Sequence, residues 1–373
     1  MAAQNLQQQV VDILATADVK INGPDPWDLQ VHDDRFYKRI LSDGTLGLGE
    51  SYMDGWWDCQ SIDQFVFKVL RADLYKRAKL GWRSVLQLLL AKLLNMQAKG
   101  KAAKNAQRHY DIGNKLYQLM LDKRMVYSCG YWKNADTLDQ AQENKLDLIC
   151  RKLYLQPGQR VLDIGCGWGS FAGYAAEKYG VQVVGITVSE EQAALGREMC
   201  KGLPVEIRLQ DYRDVNEKFD HVVSVGMAEH VGYRNHRKFM QVAERCLKDD
   251  GLFLLHTIGH NYSRTSADPF TDTYIFPNCL IPSIKQLGSA MEHIFKVEDW
   301  HNFGPYYDPT LMAWFDNFDQ NWDQLQAEYG DRFYRMWKYY LLSSAGSFRA
   351  RNNQLWQLVL SKNGIEGGYT AVR

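Results

Sequence analysis

The carboxyl-terminal two thirds of the chain alternates short apolar runs with amphipathic stretches. From residue 161 the runs VLDIG, VQVVGIT, VEIRLQD, FDHVVSVG and GLFLLHTIG are broken by SFAGYAAEKYG, SEEQAALGREMC and HRKFMQVAERCLK, in which apolar residues recur at helical spacing. Short, continuously apolar runs between helices are the pattern of strands buried on both faces of a parallel sheet. A helical pattern over Ser283–His293, a strand over Phe295–His301, two aromatic helices and a last strand, Leu355–Lys362, follow, and the last two strands can close the sheet antiparallel. The pattern predicts an α/β fold with seven strands.

The amino-terminal part reads differently. An amphipathic start (Leu6–Leu14) precedes a glycine-punctuated stretch, DGTLGLGESYMDGWWDC (Asp43–Cys59), whose glycines predict turns. Within it Trp56 and Trp57 read as the packing of a small domain. KGKAAKNAQ (Lys99–Gln107) reads as an exposed connector, so the expected division is residues 1–105, smaller and mainly helical, and 106–373. VLQLLLAKLL (Val85–Leu94) is interrupted by Gln87 and Lys92 and is about half the ~20 apolar residues of a membrane span.

Composition excludes disorder: 46% of the 373 residues are hydrophobic and 24% charged. Lys plus Arg and Asp plus Glu are 44 each, which argues against a surface that is a nucleic-acid clamp throughout. The balance hides a polarity. Between Asp73 and Asp111 lie Lys76, Arg77, Lys79, Arg83, Lys92, Lys99, Lys101, Lys104 and Arg108 and no acid, leaving 35 basic and 44 acidic residues elsewhere. A solvated helix mixes signs for i, i+4 pairing. A stretch with none, carrying Trp82, Leu86, Leu89, Leu90, Leu93 and Leu94, fits a cationic amphipathic helix on an anionic membrane surface, with internal packing of the leucines as the alternative. Seven scattered cysteines with no CxxC pair point to reduced thiols and to no metal site. The amino terminus lacks the pattern of a secretory signal, so the expected location is cytoplasmic.

The candidate chemistry starts at VLDIGCGWGS (Val161–Ser170), a strand ending in Gly165, Gly167 and Gly169 and entering a helix. Glycines there let backbone approach a ligand at a helix amino terminus. The spacing is neither GxGxxG nor a P-loop. With Asp163 in the strand, the string resembles the S-adenosylmethionine loop of class I methyltransferases, a Rossmann-like fold. Where most of that class end the second strand in an acid that holds the ribose, this chain reads GITVSEEQ, so Thr187 and Gln192 are expected to substitute. Asp211 and Tyr212, past the third strand, are placed for the adenine.

HYDIGNKLY, MVYSCGYW (Met125–Trp132), LQDYRDV, SVGMAEHVG (Ser224–Gly232), FLLHTIG, YIFPN, EDWHNFGPYYDPTLMAW and SFRARNNQLWQ, with LGLGESYMDGWWDC, resemble the bacterial cyclopropane-fatty-acid-phospholipid synthases over nearly the whole chain. The resemblance implies methylene transfer from S-adenosylmethionine to a cis double bond of an unsaturated acyl chain in a phospholipid bilayer. It also implies a homodimer, peripheral at the inner face of the cytoplasmic membrane, with Tyr127 and Ser128 beside the cofactor. Cys129, Glu229, His256, the backbone at Ile258 and Tyr307 correspond to the pocket in which the family holds a bicarbonate ion as base. Singly, His256 and Cys129 also read as core residues, and Glu229 as helix-start charge. HxxxH at His256 and His260 runs out of a strand, which discounts zinc. Ala228 stands where Phe is frequent in the family and Gly130 where Ala is common, an expected enlargement near the pocket. An amine N-methyltransferase and a non-catalytic lipid-binding protein are the competing readings.

Overall fold

The computed structural model describes residues 2–72 and 113–373, so the basic segment 74–110 lies wholly outside the described residues. The described chain forms two compact units. One contains 113–265, 278–306 and 354–373; the other contains the residues up to 72 with 266–277 and 307–353.

In the first unit the seven expected strands are β1 (Arg160–Ile164), β2 (Gln182–Thr187), β3 (Val205–Leu209), β4 (Phe219–Val225), β5 (Leu247–His260), β6 (Lys296–Asn302) and β7 (Asn353–Ser361). Their order is β3-β2-β1-β4-β5-β7-β6. The pairs β1/β2, β2/β3, β1/β4 and β4/β5 are parallel, and β6/β7 is antiparallel. Side chains alternate faces along a strand, and here both faces are covered. Leu162, Ile164, Val184, Ile186, Val222, Phe253, Leu255 and Leu358 enter one core, with Phe239 and Met240 of the helix His236–Cys246. Val161, Val183, Val223, Leu252, Leu254 and Val359 enter the other, with Leu146 and Ile149 of the helix Leu138–Lys152. Two-sided burial is why these strands read as unbroken apolar runs. Strand order reverses at β1/β4, and in open α/β sheets ligands bind outside the carboxyl ends at such a point.

The second unit is helical: Ala2–Ala15, Arg35–Met53, Ile62–Arg71, Tyr307–Gln320 and Gln326–Arg349. Its centre is Trp57, fully buried, with the rings of Phe36, Tyr52, Phe65 and Tyr339 around it and its indole N–H donating to Leu48 O and Ser51 Oγ, each at 3.1 Å. The glycine-rich stretch departs from the expected turns. It is mostly helix, kinked at Gly44, and Gly49 leaves room for the Phe270 ring, 2.2 Å from where a Cβ would sit. The division also differs from a single cut near residue 105. The helices over 307–353 gather with the amino-terminal helices because Tyr339 packs on Trp57, and because Arg349 clamps Asp308 with two hydrogen bonds and reaches Asp63 at 2.6 Å. No helix among the described residues is long and apolar enough to cross a membrane.

Candidate active site

The pocket lies at the carboxyl ends of β1, β2 and β4, with an open volume of about 1200 Å³. Of the expected cofactor residues, Tyr127, Ser128, Gly165, Gly167, Thr187, Gln192 and Tyr212 line it. Gly167 has φ +55°, and a Cβ built on it would meet nothing within 4 Å. Gly169 is outside the lining, with its bare side against Cys200 Sγ at 2.9 Å, a helix-packing role. At the end of β2 the Thr187 hydroxyl donates to Gln192 Oε1 at 2.9 Å, and Ser189 caps the following helix, so Glu190 and Glu191 are first-turn residues. Asp211 does not line the pocket. Its carboxylate is gripped by the Arg213 guanidinium at 2.8 and 2.6 Å, and its neighbours Gln210 and Tyr212 form the wall.

The loop of residues 125–130 forms another wall, held from beneath. Asp122 accepts from the Val126 and Arg124 N–H groups at 2.8 and 3.0 Å. Gln142 donates to Ser128 O at 2.8 Å, and Lys145 Nζ to Ser128 Oγ at 2.9 Å. Gln142 and Lys145 were missed in the sequence, although they carry a signal: both fall on the buried stripe that Leu138, Ala141 and Ile149 define.

Glu229, in the short helix Ala228–Val231 after β4, is 6% exposed. Its Oε1 accepts from the Ile258 N–H at 2.7 Å, and Oε2 is buried without a hydrogen-bond partner. The backbone at Ile258 is therefore engaged in holding Glu229. Burial raises this carboxyl from 4.5 to about 7, against the lowering effect of the Ile258 hydrogen bond. His256, 1% exposed near the end of β5, receives a hydrogen bond at Nδ1 from Gln357 Nε2 at 3.2 Å, and its Nε2 is buried and unpartnered. Burial holds His256 well below its usual value, so the imidazole is neutral. With the amide oriented this way, the ring hydrogen sits on Nε2. Gln357 escaped the sequence reading inside an apolar run, yet a lone amide in a strand buried on both faces marks such a partner.

Cys129 is fully buried, with Sγ 3.2 Å from Gly130 O. Tyr307 belongs to the helical unit, where its ring stacks on Phe348 at 4.4 Å. The enlargement expected from Gly130 and Ala228 is not what the fold shows. A Cβ on Gly130 would meet Ala141 Cβ at 3.0 Å, and Ala228 sits in the apolar core with Val231 and Phe239. His230, which also lines the pocket, has Cys279 Sγ 2.9 Å from its Nδ1.

This strand order, with a glycine turn after β1 and a pocket at the switch point, is the class I fold of S-adenosylmethionine-dependent methyltransferases. The family described as mycolic acid cyclopropane synthetase matches residues 97–358. The cyclopropane-fatty-acyl-phospholipid synthase of Escherichia coli K12 is 50% identical over 362 residues, covering 97% of this chain and 94% of that one. The chain belongs to this cyclopropane synthase family. The solved mycolic acid cyclopropane synthase CmaA1, complexed with SAH and CTAB, is similar at 32% identity with a TM-score of 0.66, over 70% of this chain and 98% of that one. Coclaurine N-methyltransferase, bound to N-methylheliamine and SAH, reaches a TM-score of 0.70 over 84% of this chain and 99% of that one, but at 22% identity it shows the shared fold alone.

The raised carboxyl of Glu229 has a consequence for stability. The folded state keeps this proton to higher pH than the unfolded chain, so its contribution is full below 4.5 and is lost as pH rises through about 7. Glu229→Gln cannot ionise and should lack that fall. In urea unfolding from about pH 4 to about pH 8, wild type should lose up to on the order of 3 kcal/mol relative to the variant. A pH-independent difference would contradict the assignment.

Proposed function

We propose that the protein transfers the sulfonium methyl carbon of S-adenosylmethionine to a cis double bond of an unsaturated acyl chain in a membrane phospholipid and closes a cyclopropane ring. The observation that carries this reading lies behind the pocket wall: Glu229, beside the lining residue His230, and His256, paired with the lining residue Val225 across β4/β5, each bury one polar atom without a hydrogen-bond partner among the described residues, Oε2 and Nε2. An alkene is a poor nucleophile. Its π pair must meet the methyl carbon in line as the carbon–sulfur bond breaks and the bonding pair leaves on sulfur, and the product is a carbocation on the acyl chain. A proton then leaves the transferred carbon, and the freed pair closes the ring. An amine substrate makes no comparable demand for a dry base.

On this reading Gly167, whose bare side is open, lets the cofactor approach the backbone, Gly165 lines the pocket with its own bare side against Met227, Thr187 and Gln192 hold the ribose, and Tyr212 faces the adenine. Tyr127 and Ser128 border the reacting end. Asp211 acts at one remove, by fixing Arg213 and the turn that carries Tyr212. The residues present fit a bicarbonate ion. Neutral His256 offers the hydrogen on Nε2 to an anionic oxygen, and Glu229 Oε2 can accept or return a proton because its carboxyl titrates near neutrality. The chemistry bicarbonate supplies when bound is that of a confined proton acceptor. Gln357 fixes the His256 tautomer and the Ile258 N–H orients Glu229. Cys129 is a further donor that the resemblance assigns to this anion.

Glu229→Gln and His256→Ala should each slow ring formation by roughly 100-fold or more with little change in S-adenosylmethionine affinity, and bicarbonate-free buffer should slow wild type. Rates indifferent to bicarbonate would move the base to a side chain. Gly167→Val puts a β-branched residue at positive φ with its methyls in the pocket, and calorimetry should show a loss of S-adenosylmethionine affinity of roughly 100-fold or more in a folded protein. Unchanged affinity would reduce the loop to a turn.

The acid-free segment 74–110 is proposed to seat the enzyme on the anionic inner face of the cytoplasmic membrane. Reversing Lys76, Lys79, Arg83 and Lys92 to Glu removes on the order of 1 kcal/mol of attraction per basic residue. Co-sedimentation with anionic vesicles should collapse at moderate salt, while turnover of a short-chain unsaturated phospholipid in neutral detergent persists. Equal vesicle binding by variant and wild type would exclude docking through this segment.

A further inference from the structure

Lys145 is one of the largest fully buried side chains in the protein, 1% exposed, on the helix Leu138–Lys152. Its ammonium has three hydrogens to place. Among the described residues it makes one hydrogen bond, to the neutral hydroxyl of Ser128, and no carboxylate is in ion-pair contact with it. The nearby acids are committed or apart. Asp122 is held by two backbone N–H groups, and Asp163, itself 2% exposed, faces the pocket; both favour the ammonium electrostatically, but neither is in ion-pair contact with it. A buried ammonium in this condition costs several kcal/mol unless an anion arrives. Both Lys145 and Asp163 line the pocket, on the same side of the sheet: Asp163 shares its face with Val161, in the core to which Leu146 and Ile149 of the lysine's helix contribute.

A cation and a carboxylate held apart across one pocket wall match a zwitterion. We infer that Lys145 binds the α-carboxylate of S-adenosylmethionine, with Asp163 facing its α-ammonium, so that each buried charge gains a direct ion-pair contact only when the cofactor is in place. This inference rests on the S-adenosylmethionine reading of the pocket. It extends that reading to an anion-recognition residue at the methionine end, where the glycine loop supplies no side chain. The helix would then serve two ends, since Gln142 and Lys145 also fix Ser128 and the loop of residues 125–130. Cofactor entry would tighten that loop through Ser128 Oγ.

A role in cofactor recognition and a role in the fold predict opposite things for Lys145→Met, which keeps length and removes charge. Binding to wild type and variant is measured by calorimetry with S-adenosylhomocysteine, which carries the amino-acid end, and with 5′-methylthioadenosine, which lacks it. The variant should bind S-adenosylhomocysteine about 10- to 100-fold more weakly, the range of a lost charge-assisted hydrogen bond, and 5′-methylthioadenosine equally well. Its ligand-free melting temperature should be unchanged or higher, because a buried charge without a direct ion-pair contact has gone. Lys145→Gln, shorter and polar, should show the same ligand selectivity. Equal weakening of both ligands by both variants, or no weakening of either, would overturn the inference. So would an unchanged S-adenosylhomocysteine affinity accompanied by a raised half-saturation for bicarbonate, which would give the lysine to the other anion. Wild type that binds neither nucleoside would instead sink the S-adenosylmethionine reading itself.

Discussion

Desolvation at one edge of a sheet is the constraint on which the site depends. Asp163, Glu229, His256, Gln357 and Lys145 are all removed from water at or near the carboxyl ends of the parallel strands, and each loses hydration that protein groups replace only in part. Burial drives both carboxyls to about 7 and the lysine down to about 8. Groups that titrate near neutrality can pass protons in either direction at little cost. Glu229 Oε2, His256 Nε2, Gln142 Oε1 and Gln357 Oε1 are among the buried atoms whose hydrogen-bonding capacity the fold leaves unspent.

The rest of the unit makes that edge possible. Helices cover both faces, so apolar strand residues fill two cores and the polar ones gather where strand gives way to loop. Reversal of strand order between β1 and β4 parts the following loops, and the bare side of Gly167 opens the gap. The helix Leu138–Lys152 is structural and chemical at once. Leu146 and Ile149 anchor it in the core, while Gln142 and Lys145 reach the loop that walls the pocket.

Much of this was legible in the sequence, because two-sided burial writes the inner strands as plain apolar runs, while β3 and β6 at the sheet edges are partly exposed and carry polar residues. All seven strands fall where the pattern places them. The glycine loop and the pair Glu229 and His256 were readable through their place at strand ends and through long motifs. What escaped has physical reasons. Gly47 and Gly49 look like turn residues, but they lie in a helix whose bare face admits Arg39 O and the Phe270 ring. The helices over 307–353 follow the sheet in sequence yet group with the amino-terminal helices, because Trp57 and Asp63 find their partners there. Lys145 and Gln357 are polar residues at apolar phase, and periodicity averages over such exceptions. Their meaning appears only when the neighbour is known, Ser128 in one case and His256 in the other.

The central claim is a chemical one: that this dry edge removes a proton from a carbon once a methyl group has reached an alkene. The direct measurement is the structure of the product. The protein is incubated with S-adenosylmethionine carrying an isotope-labelled methyl group and with vesicles of a cis-unsaturated phospholipid, and the extracted acyl chains are examined by mass spectrometry and NMR. The account predicts chains that have gained one labelled CH₂, have lost their olefinic signals and show cyclopropane protons at the former double bond. Label recovered as a methyl branch, as a methylated headgroup amine, or not in lipid at all would contradict it.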